Sequence, residues 1–227
     1  MHLADLAACA VAAVGLAGCV AVDTAKPDAG RAQLVNDLAH RLGGSARVPY
    51  TAVYRLPLGV SVTLSQARDP DRAAYVYPGG TLTLTPQRLA DCRTTAAGTT
   101  CTLTSPPSPA RDPVTTLLGT VTEQGLIAPQ AVTGLLTATA PDAGAVVTTR
   151  DTTIAGENAT CIRVTGAQYT VASDYEACVT ANGLLGSFTG QVGANQVEAS
   201  LVRYQPGVAP DAFDLPPGAR IVDRRPR

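Results

Sequence analysis

The sequence has few aromatic residues and almost no lysine. Tryptophan is absent, phenylalanine occurs twice and tyrosine seven times, and Lys26 is the one lysine. A core must therefore be built mainly from Val, Leu, Ile and Ala. The formal net charge is -1 and no basic stripe runs along the chain, which argues against nucleic acid as a partner. No run of about 18 apolar residues follows the first 18, so we expect no transmembrane helix.

Groups that carry catalysis are also scarce. Apart from His2, the one histidine is His40, which helical geometry places opposite an apolar stripe and therefore in water. The sequence contains no G-x-S-x-G elbow, no Ser-x-x-Lys, no H-E-x-x-H and no P-loop. These absences predict a protein without enzymatic activity, and we expect neither a metal ion nor a cofactor.

The first 18 residues form a short apolar leader that ends in Leu16-Ala17-Gly18-Cys19. Its apolar part is within the usual length of a signal-peptide core, about 7–15 residues. The tetrapeptide resembles the lipobox of bacterial lipoprotein precursors, in which a signal peptidase cuts before the cysteine. The resemblance implies that residues 1–18 are a signal peptide and that Cys19 becomes a diacylglyceryl cysteine at the new N-terminus. The protein would then be anchored in the cell membrane, on its extracytoplasmic face.

Two features of the leader keep other interpretations open. Leu6-Ala7-Ala8-Cys9 is a second lipobox-like match, although few residues precede it. The leader also has no Lys or Arg before its apolar run, which predicts a start codon upstream of Met1. The alternative is an ordinary N-terminal hydrophobic helix with a chance cysteine.

The remaining chain divides into a polar tether, residues 19–30, and a single domain, residues 31–223. Leu34, Val35, Leu38 and Leu42 lie at helical spacing and predict a helix over 27–42 that ends at Gly43-Gly44. From 47 to 104 the apolar residues alternate with Thr and Ser, which predicts about six short antiparallel strands. Helices are expected from Asp112-Pro113 and from Ala128-Pro129, and strands again from 145 to about 204. This order is typical of an α+β fold with helices on one face of a single sheet.

The domain retains four cysteines: Cys92, Cys101, Cys161 and Cys178. In an exported chain an even number of cysteines suggests disulfides, and three pairings are possible. Local pairing, Cys92 with Cys101 and Cys161 with Cys178, is favoured because each pair brackets a turn. The alternative is a four-cysteine zinc site, which neither spacing supports.

Three stretches carry a further resemblance. Residues 159–166, 177–185 and 210–219 resemble actinobacterial lipoproteins of unassigned role, and the order of elements is similar to that of the LolA lipoprotein carrier and the mycobacterial LppX and LprG lipoproteins. The resemblance implies a curved antiparallel sheet, or half-barrel, with helices packed on its concave face. In those proteins the sheet and helices leave an apolar cavity for acyl chains.

A concave face of Val, Leu and Ala leaves volume that either helices or a ligand must fill. The residues predicted to line that interior are Val60, Val62, Leu64, Leu82, Leu84, Leu117, Leu118, Val132, Leu135 and Leu136. The helical insertion at 113–140 would be the lid. The expected function is binding or carrying a lipid or other apolar ligand in the cell envelope. The alternative is a cell-surface interaction or accessory module with a closed core, and an envelope hydrolase is disfavoured because no triad is assembled.

Overall fold

The computed structural model describes residues 27–45, 48–68, 71–106 and 127–226. Cys19, the leader and most of the tether lie outside the described residues. The same holds for Leu117 and Leu118 and for the helix predicted from Asp112-Pro113.

The described residues form two α-helices and twelve β-strands. The helices are α1 (Pro27–Ser45) and α2 (Pro129–Thr139). The first group of strands is β1 (Tyr50–Arg55), β2 (Ser61–Ala67), β3 (Arg72–Tyr77), β4 (Gly80–Thr85), β5 (Arg88–Thr95) and β6 (Gly98–Thr104). The second group is β7 (Val146–Ile154), β8 (Glu157–Thr165), β9 (Tyr175–Thr180), β10 (Leu185–Val192), β11 (Asn195–Pro206) and β12 (Arg220–Asp223).

All these strands belong to one sheet, in the order β12-β6-β5-β4-β3-β2-β1-β11-β10-β9-β8-β7. Every neighbouring pair is antiparallel except β12 and β6, which run parallel. The sheet is curved and does not close into a barrel, and both helices belong to the core on its inner face. The predicted α+β class, a curved antiparallel sheet with helices on the concave face, is confirmed.

Both helices bury the stripes that the sequence predicted. In α1, Val35, Leu38 and Leu42 are buried, whereas His40 is exposed as expected. Proline at the first position of α2 suits a helix start, since the missing N–H would have no helical partner there. Burying a Val or Leu side chain contributes about 1.5–3 kcal/mol. These stripes therefore hold the helix pair on the sheet.

The two disulfides lie on the outer face of the sheet. Cys92 is bonded to Cys101 across β5 and β6, and Cys161 to Cys178 across β8 and β9. Each bridge therefore clasps one hairpin, which is the local pairing that the sequence favoured. With separations of 9 and 17 residues, each contributes about 3 kcal/mol in the loop-entropy account. The four-cysteine zinc alternative is wrong, because the two pairs lie in different halves of the sheet.

The C-terminal tail, after β11, packs back on the outer face of the sheet. Phe213 is buried against Ala67 and Ala74 on the outer face, with the Arg72 guanidinium 4.5 Å from its ring centroid. Further along, Leu215 and Ala219 pack on the cluster that contains the Cys92–Cys101 bridge. The tail then adds β12 to the edge of the sheet, so it covers the outer face of the β2–β6 half.

Asp142 joins two loops at one end of the sheet. Its carboxylate is buried and accepts hydrogen bonds from the backbone N–H groups of Gly144 (2.9 Å) and Gln168 (2.7 Å). The N–H of Gln168 is the main reason that the pKa of Asp142 lies below its ordinary value, and it outweighs the opposing effect of burial. The carboxylate thus holds the loop after α2 against the loop between β8 and β9.

Replacing Asp142 with asparagine is expected to lower the free energy of unfolding at pH 7. The amide places an NH₂ donor against one of the two N–H groups. Because the folded-state pKa is depressed, the stabilisation is present above the unfolded pKa and disappears as the pH falls through the folded value. Urea unfolding should therefore show a gap between the two proteins at pH 7 that narrows below about pH 4. A gap of the same size at pH 7 and pH 3 would contradict this assignment.

Candidate functional site

The inner face of β2–β5 is the candidate binding surface. Strand alternation places Val62, Leu64, Tyr75, Leu82 and Leu84 on this face. The register brings Leu64 opposite Tyr75, Tyr75 opposite Leu82, and Leu84 opposite Leu89. The result is a continuous apolar surface across four strands.

Burial on this surface decreases toward β5. Val62 and Leu64 are almost completely buried, whereas Leu84 and Leu89 are half-buried and pack against the main core from its margin. Tyr77, at the end of β3, is half-buried as well. The β2 end of the surface is therefore the covered part.

A cavity of about 10 Å³ lies at the covered part, next to Ile127, where the chain re-enters the described residues. This is about the space that one water molecule needs. It is lined by Tyr54, Leu56, Val62, Leu64, Tyr75, Ile127 and Ala199. Within the part of the chain that the structure describes, the interior holds no cavity large enough for an acyl chain at this position.

Tyr75 is unusual among the buried tyrosines. The hydroxyl of Tyr50 donates to Gln66 Oε1 at 3.0 Å, that of Tyr54 donates to the Leu185 carbonyl at 2.9 Å, and that of Tyr175 bonds Thr139 at 2.8 Å. Among the residues that the structure describes, the buried Tyr75 hydroxyl has no hydrogen-bond partner. Burial raises the pKa of Tyr75 far above its ordinary value, so the group stays a neutral donor.

An unmade hydrogen bond of this kind costs about 1–3 kcal/mol. The buried Tyr75 hydroxyl in this apolar wall therefore lowers the free energy of unfolding by a measurable amount. Tyr75 was not among the residues predicted from the sequence. Strand alternation in 72–77 could have placed it on the inner face together with Ala73.

The predicted lining residues are largely brought together. Val62, Leu64, Leu82, Val132, Leu135 and Leu136 lie in one buried cluster, and Val60 and Leu84 pack against it. Leu117 and Leu118 are outside the described residues. Among the described residues, the buried side chains of α2 belong to the same apolar cluster as those of the inner face of the sheet.

Two open grooves lie elsewhere on the described surface. One, of about 570 Å³, runs between the helices and is lined by Asn36, Ala39, His40, Gly43, Gly44, Thr133 and Thr137. The described residues that line it include His40 and no carboxylate. The other, of about 360 Å³, lies beside the last turn of α1 and includes Arg41 and Tyr204.

One cluster has the residue types of a metal site, but its ligand atoms are already bonded to protein groups. Cys161, Glu176 and Cys178 lie within ligand distance of one another, but both sulfurs are used in the disulfide. The Glu176 carboxylate is bound by Arg150 at 2.6 Å and Arg163 at 3.1 Å. Among the described residues this cluster is therefore structural.

Comparison with known proteins places the architecture. No protein-family model matches the chain, and no curated protein has a matching sequence. The crystal structure of MucB superposes with a TM-score of 0.53 at 10% identity, over 84% of this chain and 66% of MucB. The fold is LolA-like. The chain thus spans slightly less than two thirds of MucB, and at this identity the likeness concerns the fold alone.

Two further structures are similar with lower scores. One is an uncharacterized conserved protein from Thermus thermophilus, with a TM-score of 0.49 and 11% identity over 85% of this chain and 100% of that one. The other is a DUF1329 family protein from Desulfovibrio piger, with a TM-score of 0.37 and 9% identity over 81% of this chain and 97% of that one.

Proposed function

We propose that this protein is an exported lipoprotein, anchored through a diacylglyceryl Cys19 on the extracytoplasmic face of the cell membrane. Its LolA-like domain binds or carries an apolar ligand between the sheet and the helices. The observation that carries the binding role is the Tyr75 hydroxyl in the wall of the inner-face cavity, which has no hydrogen-bond partner among the described residues. The two disulfides support the exported location, because such bridges persist in oxidising compartments.

The residues of the inner-face wall indicate which kind of ligand would fit. Val62, Leu64 and Leu82 offer only apolar contact, and Tyr75 adds one donor. A ligand that fits has hydrocarbon chains and one hydrogen-bond acceptor near them, such as the carbonyl of a fatty acid or an acyl ester. Such a ligand requires more room than about 10 Å³, so α2 has to move away from the sheet on binding.

Changing Tyr75 to phenylalanine separates ligand binding from folding. A fatty acid that carries a dansyl group is the probe, and its fluorescence is followed as protein is added. One hydrogen bond of about 0.5–1.5 kcal/mol corresponds to an affinity that is roughly 2- to 13-fold weaker in the variant. Because the variant also removes a buried donor without a partner, its free energy of unfolding should be equal to or above that of the unchanged protein.

The matched control is Tyr204→Phe, which alters a half-buried tyrosine outside this cavity lining and should leave probe affinity unchanged. Equal affinities for the unchanged protein and Tyr75→Phe would contradict the role given to Tyr75.

A second function is favoured by a specific observation. The cavity bounded by the described residues has the size of one water molecule, which suits a closed core and a role as a cell-surface interaction or accessory module. In that case the dansyl probe does not bind at any concentration at which the protein stays folded.

A further inference from the structure

One end of the sheet lies beside the first turns of α1. The guanidinium of Arg31 donates to the carbonyl of Ala145, immediately before β7. The register then places the start of β7 beside the β8–β9 loop (166–174), and the N–H of Gly193 in the β10–β11 turn donates to the carbonyl of Val171 in that loop. We call this end of the sheet the α1 edge.

The antiparallel order extends the α1 edge to the other half of the sheet. Because β1 runs against β11 and β2 against β1, the turn between β1 and β2 (56–60) lies at the same end. By the same register, the turn between β3 and β4 at Pro78-Gly79 also lies at this end. The α1 edge is thus formed by hairpin turns on one side and by the long 166–174 loop on the other.

Exposed apolar side chains concentrate at this edge. Five of the eight large apolar side chains that are exposed in the described residues lie there: Leu58, Val76, Val146, Tyr169 and Val171. Tyr169 is 77% exposed, and Val171, two residues along the same loop, is 52% exposed. By contrast, only Val48 among the eight lies at the opposite end, in the segment that enters β1.

Leu58 is the most extreme of these residues. It occupies the tip of the β1–β2 turn with a fully exposed side chain and a φ of 61°. That left-handed conformation disfavours a branched L side chain, and glycine or asparagine would occupy it at lower cost. The turn therefore projects an apolar side chain outward from a strained position, unpacked against the described residues.

We propose that the α1 edge docks on the lipid bilayer, with Leu58, Tyr169 and Val171 entering the interface between headgroups and acyl chains. An exposed leucine and tyrosine on protruding loops suit that boundary, where an apolar body and a polar tip are both accommodated. Charges of both signs occur at this edge, with Arg55 near Leu58 and Asp174 in the 166–174 loop. A neutral bilayer should therefore suffice.

The short distance along the chain from Cys19 to the start of α1 favours the membrane over another partner for this edge. This step rests on the proposed lipid anchor at Cys19. Seven residues, 20–26, separate that cysteine from the first residue of α1. Fully extended, the eight Cα-to-Cα steps from Cys19 to Pro27 span at most about 28 Å. Because α1 begins at this edge, so short a connection brings this end of the sheet to the bilayer surface.

The absence of tryptophan from the chain provides a clean experiment. The full lipidated protein is prepared with Leu58→Trp or with Tyr169→Trp, and Val48→Trp at the opposite end is the matched control. Each is reconstituted in phosphatidylcholine vesicles with and without bromine atoms on the acyl chains. Vesicle flotation is measured in parallel to report the anchor separately.

Brominated lipid should quench the emission of Leu58→Trp and Tyr169→Trp and shift it to shorter wavelength, whereas Val48→Trp should be unchanged. If the proteins float with the vesicles but all three tryptophans respond alike, the anchor stands and the docking edge is overturned. If none of the proteins floats, both the anchor and the docking edge are overturned.

Discussion

Replacing Cys19 with alanine should abolish the incorporation of fatty acid into the protein. The thiol of this residue is the atom that would carry the diacylglyceryl group, and alanine offers no replacement. Cells are fed an alkyne fatty acid, and the label on the purified protein is measured after denaturation, which removes lipid that is merely bound. The effect is expected to be complete, since one atom carries the modification.

Cys9→Ala is the matched control, because Leu6-Ala7-Ala8-Cys9 is the second lipobox-like match. This variant should retain the full label. If Cys9→Ala loses the label and Cys19→Ala keeps it, Cys9 rather than Cys19 carries the lipid. A protein that is never labelled would contradict lipid anchoring altogether.

Replacing Phe188 with alanine should have the largest effect on stability, about 3–5 kcal/mol. Phe188 is fully buried on β10, opposite Ala177 and Ala199. Its ring stacks on that of Tyr175, with 5.9 Å between the centroids. A domain has a total stability of about 5–15 kcal/mol, so this loss would remove a large share of it. Urea unfolding followed by circular dichroism measures the change.

The local packing explains why little relaxation is expected at this position. Beside the ring pair, Gly190 has no room for a side chain, since a Cβ there would lie 2.7 Å from the Cβ of Tyr175. β9 and β10 are therefore closely packed at this position. The control is Thr189→Ala, which alters the exposed neighbour on the other face and should cost less than about 0.5 kcal/mol. Equal costs for the two variants would mean that the ring pair does not organise the core.

Local patterns in the sequence predicted much of this fold. The spacing of Val35, Leu38 and Leu42 was sufficient for α1, because helix burial has a period that a single segment reveals. The hairpins around Cys92–Cys101 and Cys161–Cys178 were predictable for a similar reason, since each pair brackets a turn. Both inferences use contacts between residues that are close along the chain.

Contacts between distant parts of the chain were not predictable in this way. β12 is four residues long and pairs in parallel with β6, more than a hundred residues earlier. Phe213 is a lone aromatic residue in a Pro-rich tail, so no periodicity marks it as buried. The surroundings of the Tyr75 hydroxyl depend on which polar groups other segments of the chain bring near it, and the pattern of one strand carries no such information.

The distance between the helices and the inner face of the sheet is a further feature that local patterns do not give. The sequence identified the apolar residues of both walls but could not give the distance between the walls. Val132, Leu135 and Leu136 of α2 belong to the same buried cluster as the inner-face residues of the sheet. The proposed ligand binding therefore requires α2 to move away from the inner face of β2–β5.

The most direct test of the account is the intact mass of the protein purified from its own membrane under conditions that preserve non-covalent complexes. The account predicts a polypeptide that begins at Cys19 with a diacylglyceryl group, together with a second, dissociable mass of an acyl lipid that is reduced in Tyr75→Phe. A lipidated polypeptide that never carries such a mass, in the unchanged protein and the variant alike, would contradict the carrier role and favour the closed-core interaction module.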